Sequence, residues 1–152
     1  MPESDPVENL VHDHADLNRR VIAIGVLVEK VRRTSVDLAE LVVPLTELRE
    51  LLFLHFAREE EGLFPFVAEV LPSLADQMRE MALAHDAICG GLARMIHLAC
   101  VGGDPVTLGG VFERFEVAYS AHAGTEAELL AAVDRGLGAD HRARLAALVD
   151  GL

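Results

Sequence analysis

The segment DPVTLGGVFERFEVAYSAHAGTEAELLAAVDRGLG, residues 104–138, decides the fold class. Asp104 followed by Pro105 is a helix start. The aspartate side chain can accept from free N–H groups of the first turn, and proline lacks an N–H that would have no partner there. Gly136-Leu137-Gly138 is the matching stop. Between these signals Leu108, Phe112, Phe115, Tyr119, His122, Glu126, Leu129 and Val133 recur at alternating spacings of three and four. That is one buried face of a helix. The face is apolar except in its middle, where His122 and Glu126 stand.

Working outward, three further helices carry the same pattern. Asp5-Pro6-Val7-Glu8 places Asp at the cap and Pro at the first position of a helix to about Arg33, with the face Leu10, His14, Leu17, Val21, Ile24, Val28 and Val31. Thr34-Ser35 is expected to cap a second helix from about residue 36 to 70. Its face is Leu38, Leu41, Leu45, Leu48, Leu52, His55 and Glu59, and Pro44 kinks it or splits off a leading turn. Pro72-Ser73 is expected to close it and cap a third, residues 74 to about 101, with the face Leu74, Met78, Met81, His85, Ile88, Leu92 and Met95. Gly102-Gly103 stops that helix. A short amphipathic helix from about 140 to 149 ends the chain. No strand-like alternation, linker or low-complexity tract competes. The expected fold is all-α: one domain over residues 1–152, an antiparallel up-down-up-down four-helix bundle at about 6–135 with a short C-terminal fifth helix.

Composition narrows the function. The 152 residues carry 25 Asp and Glu against 13 Lys and Arg, a net charge of −12. This argues against a nucleic-acid groove and against adhesion to an anionic membrane. Apolar stretches are too short for a membrane span. The acidic N-terminus lacks the basic and apolar regions of a signal peptide. Cys89 and Cys100 lie 11 residues apart on one expected helix, too far to form a disulfide. The expected location is cytoplasmic.

Each of the four apolar faces is interrupted by a histidine, and two also by a glutamate four residues later. Burying four imidazoles and two carboxylates without partners costs several kcal/mol for each uncompensated group. Their depths agree. His14 lies 19 residues before Arg33 and His55 lies 19 after Val36, while His85 lies 16 before Val101 and His122 lies 17 after Pro105. In an antiparallel bundle all four reach roughly one level. His-x-x-x-Glu puts both side chains on one helix face. Two such pairs with His14 and His85 supply six ligands, more than the four of a closed zinc site. The set fits two metals with glutamates placed to bridge, and its nitrogen and oxygen donors suit iron or manganese.

Val11-His12-Asp13-His14-Ala15-Asp16-Leu17, His55-Phe56-Ala57-Arg58-Glu59-Glu60-Glu61-Gly62-Leu63-Phe64-Pro65, Ala84-His85-Asp86-Ala87-Ile88 and His122-Ala123-Gly124-Thr125-Glu126 together resemble the hemerythrin family. The segment 55–65 is the most specific, similar to the HFxxEExxLFP signature of hemerythrin-like cation-binding domains. The resemblance implies two iron ions in a centre bridged by carboxylates and an oxo or hydroxo group. It implies His14, His55, Glu59, His85, His122 and Glu126 as ligands. It also implies binding of O2 or reaction with hydrogen peroxide or nitric oxide in oxidative-stress handling, with weak catalase-like turnover of peroxide an open question. Oxygen carriers of the family have a His-x-x-x-His pair on the third helix. Here Met81 and Cys89 flank His85 at those positions, so an extra open metal position is expected, favouring a water ligand or peroxide. The fourth helix carries its acid as Glu126, one residue earlier than the aspartate of those carriers.

The alternative is a non-enzymatic oxygen or iron sensor or storage protein that signals through a partner. A ferritin-like oxidase would use Glu-x-x-His pairs, and a zinc hydrolase an HExxH that is absent. Tyr119, Cys89 and Glu60 are candidates to support a ligand from behind, and Tyr119 to fill the open position. His12, His97 and His141 are expected to lie off the site, and Glu60 and Glu61 to be solvated, with a role for either in orienting a ligand as the alternative.

Overall fold

The computed structural model describes residues 5–34 and 36–151. Helix α1, Pro6–Arg33, opens as expected, with the Asp5 side chain accepting from Val7 N–H. Thr34 is its C-cap, donating its hydroxyl to the Lys30 carbonyl at 2.6 Å. It therefore ends one helix and does not begin the next, while Ser35 lies outside the described residues. Asp37 caps a 3-10 turn, Leu38–Leu41, which leads into α2, Val42–Ala57. Pro44 thus sits in the first turn of α2, where its missing N–H is tolerated.

The second expected helix is not continuous. Arg58–Leu63 is π-helical, and Phe64 N–H reaches back five residues to the Glu59 carbonyl. Helix α3, Phe64–Val70, follows. Pro65 explains the break. It has no N–H to give, and its ring crowds the carbonyl four residues back, so a regular ladder cannot pass this point. Pro72–Leu74 is a second 3-10 turn, and α4, Ala75–Val101, starts one residue later than expected, without a side-chain cap. Gly102 ends α4 at φ 65°, a left-handed conformation that favours glycine. Helix α5, Pro105–Gly136, is capped by Asp104 through Val106 and Thr107 N–H. Helix α6 spans Ala139–Asp150.

Helix α1 packs on α2 and α5, and α4 packs on the same two, so the four long helices enclose a common interior. No strand occurs among the described residues, and none of their helices is long and apolar enough to cross a membrane. The interior holds two apolar clusters. One gathers Leu17 to Val31 of α1 with Leu45, Leu48 and Leu52 of α2, Ile88, Leu92 and Met95 of α4, and Phe112, Phe115 and Tyr119 of α5. The other gathers Val7 and Leu10 with Leu63, Phe64, Phe66 and Val67, Met78 and Met81, Leu129 to Val133, and Leu145 and Val149 of α6. Between them in every long helix stand the histidines and glutamates.

Candidate metal centre

All six residues singled out in the sequence converge on this layer. His14 Nε2 lies 2.9 Å from His55 Nε2 and 3.0 Å from Glu126 Oε1. His55 Nε2 also touches Glu59 Oε1 and lies 3.4 Å from Glu126 Oε1. On the other side, His85 Nε2 is 3.4 Å from Glu59 Oε2, and His122 Nε2 is 2.9 Å from Glu126 Oε2. The donor atoms form two groups of four: His14, His55, Glu59 and Glu126, then Glu59, His85, His122 and Glu126. Within each group they lie within 4.8 Å of one another. Both glutamates belong to both groups.

The layer is dry. His14 keeps 13% of its side-chain surface exposed, whereas the other five keep 3% or less. Yet His122 Nε2, His85 Nε2, both Glu59 oxygens and Glu126 Oε1 have no hydrogen-bond partner. Nitrogens and oxygens thus approach to about hydrogen-bond distance without the angles of a hydrogen bond. Nitrogen and oxygen atoms that converge in this way, buried and mostly off hydrogen-bond angles, suit a cation at their common focus. The residues present fit a bound metal on this ground.

Charge supports the same conclusion. Burial opposes protonation of His14, but the Glu126 and Glu59 carboxylates outweigh it and raise its pKa to about 9. Burial likewise opposes protonation of His55, and Asp13, Glu126 and Glu59 raise it to about 11. Burial alone would raise Glu126, but contacts from Glu59 and three histidines hold it well below the usual carboxylate range. Without a metal the layer therefore gathers protons as its cations.

Aromatic rings wall the site. Phe56 stacks on His85 at 3.7 Å between centroids and 10° between planes, and meets His122 edge-on. Phe64 packs against His85 at 5.8 Å. The outer nitrogens are less evenly served. Glu60 Oε1 lies 3.3 Å from His85 Nδ1, and Asp13 Oδ2 lies 3.6 Å from His55 Nδ1. Asp13, absent from the sequence candidates, sits beside His14 in the chain, and its partner is reached only across two helices. A cavity of about 630 Å³ between α1 and α5 is lined by His14 together with Val11, Ala15, Ala123, Ala127 and Ala131.

Tyr119 and Cys89 stay outside the two groups. The Tyr119 hydroxyl donates to Asn18 Oδ1 at 2.7 Å. Burial, with the nearby Glu126 charge, pushes the phenol above its ordinary range, against a phenolate in the open position. Cys89 is half-buried, and burial together with Asp86 and Glu60 pushes its thiol up to about 11, which leaves little thiolate. His12, His97 and Glu61 are exposed. His141 packs edge-on against Phe66 at 6.1 Å.

The family model for the hemerythrin HHE cation-binding domain matches residues 5–133. The chain belongs to this family. The match contains every residue of the two donor groups and stops before α6. No curated protein and no solved structure matches the chain. Membership and the geometry agree on what kind of site this is: a His and Glu cluster of an HHE domain able to hold metal.

Proposed function

We propose that this HHE domain is a two-iron, non-haem protein that binds O2 or reacts with small oxidants such as hydrogen peroxide or nitric oxide. The observation that carries the proposal is the pair of four-residue groups sharing both glutamates. One cation would be held by His14 and His55, the other by His85 and His122, with Glu59 and Glu126 spanning the two. Nitrogen and oxygen donors without thiolate suit iron or manganese. When bound, the irons supply the redox chemistry.

The protein's own residues supply the rest. Phe56 and Phe64 exclude water from the His85 side. The alanine-walled cavity that His14 lines would give a small molecule an approach on the other side. The third-helix position that holds a second histidine in oxygen carriers is Met81 or Cys89 here. Met81 is buried in the apolar cluster beside the site. That favours turnover of peroxide over a long-lived oxygen complex.

The same reading takes the bundle as antiparallel and as one domain. Helices α1 and α4 run from the cluster holding Met78 to the cluster holding Leu92, while α5, and α2 continued by the π turn and α3, run the opposite way. Helix α6 adds Leu145 and Val149 to the first of these clusters. The two free thiols suit a reducing cytoplasm.

Metal analysis with an optical spectrum of aerobically purified protein tests the proposal. Two irons per chain and charge-transfer absorption are expected, with oxygen evolved from hydrogen peroxide by the iron-loaded but not the chelated form. A single zinc per chain, or a stable oxygen complex reversed by removing O2 with no peroxide consumption, would overturn the corresponding part.

A further inference from the structure

The π-helical segment Arg58–Leu63 carries four consecutive charged residues, and the first three, Arg58, Glu59 and Glu60, face different parts of the centre. Glu59 is fully buried between the two histidine pairs. Glu60 turns its carboxylate to the outer nitrogen of His85, at 3.3 Å. Arg58 Nη1 lies 3.4 Å from Asp13 Oδ2, which in turn faces the outer nitrogen of His55 at 3.6 Å. A π turn is wider than an α turn and rotates less per residue, so Glu60 stays nearer the face that carries Glu59.

An imidazole that ligates a metal through Nε2 carries its proton on Nδ1, and the group facing Nδ1 sets ring orientation and basicity. The Nδ1 atoms of His55, His85 and His122 are all buried without a hydrogen-bond partner. Only the first two are faced by a carboxylate, and they belong one to each group of four. From this we infer that Glu60, on the π turn, and Asp13, on α1, are positioning residues, one per metal position, which fix His85 and His55 from behind. The inference rests on the two-metal reading above.

The test uses the full chain with Glu60→Ala, Glu60→Gln and Asp13→Ala, and with Glu61→Ala as a control that removes a neighbouring exposed charge from the same turn. Iron affinity is measured by competition with a chelator, and the midpoint potential of the loaded protein by titration. Zinc-loaded, histidine-labelled protein gives the Nδ1 proton signals by NMR. Glu60→Ala and Asp13→Ala are expected to weaken iron binding about 10- to 100-fold, as loss of such partners does elsewhere. They should also raise the potential and lose the slowly exchanging Nδ1 proton of His85 or His55 respectively. Glu60→Gln keeps an acceptor but not the charge, so it should recover most affinity while the potential stays raised. Glu61→Ala should match wild type. Equal affinity, potential and proton signals in Glu60→Ala, Asp13→Ala and Glu61→Ala would overturn the inference and leave the two-metal reading standing. Wild-type protein that takes up neither iron nor zinc would overturn both.

Discussion

Glu126 is pulled two ways: burial favours its neutral form, and the histidines around it favour the carboxylate more strongly. Removing one member of such a layer leaves the others buried with less compensation. His55→Ala and Glu126→Ala should therefore lose bound metal, while His12→Ala, on the exposed side of α1, should lose none; metal content per chain after desalting checks this. The titration has a sign. His14 and His55 have folded pKa values of about 9 and about 11, above the ordinary 6.5. In chelated protein they support folding fully below pH 6.5, and that support is lost as pH rises through about 9 and about 11. Glu126 is depressed, so its support holds above the ordinary carboxylate value of 4.5 and is lost as pH falls. Denaturant midpoints of the chelated protein should peak between weak acid and neutrality and decline on both sides. Metal loading at neutral pH should release protons, seen by calorimetry in buffers of different ionisation enthalpy. The six cluster residues were legible because each breaks an apolar period that is otherwise regular. Asp13 and Asn18 were not, because their value depends on His55 and Tyr119, which are distant in sequence and neighbours only after packing.

Among the elements, α1 and α5 matched their expected starts because Asp5-Pro6 and Asp104-Pro105 join a capping acceptor to a residue that needs no donor. Thr34 misled for a physical reason: a threonine hydroxyl serves a helix C-terminus by donating to a carbonyl as well as it serves an N-terminus by accepting. The π turn was hidden because Arg58, Glu59, Glu60 and Glu61 are all good helix formers, and side-chain propensity does not register a ladder shifted by one residue. Only Pro65 hinted at it. Phe56, in the last turn of α2 just before it, packs on the site. Phe56→Ala removes a ring stacked on His85, and a loss of about 3–5 kcal/mol is expected from denaturant unfolding, together with weaker metal binding. Helix α6 is a different case. Leu145 is fully buried, and Leu145→Ala should lower stability by about 2–5 kcal/mol while metal content stays unchanged, since no residue of α6 enters the donor groups.

For the molecule as a whole, a cation that binds only the folded chain raises stability by mass action, about 2.7 kcal/mol at a hundredfold excess over its dissociation constant. Calorimetric scans should show the chelated protein melting below the loaded one; identical melting points would argue against a metal pair that links four helices. The division of the interior into two apolar clusters has a consequence for dynamics. The buried polar layer between them is expected to be the seam along which the chelated protein opens first. Amide hydrogens of Val67, Met78, Leu130 and Leu145 on one side, and of Leu48, Leu92 and Phe112 on the other, then belong to separate cooperative units. In chelated protein the smaller unit, closed by the short helices α3 and α6, should exchange its amides with deuterium sooner than the larger one. Adding metal should bring the two to a common, slow rate, so that the centre sets not only what the domain reacts with but whether it opens in one piece or in two.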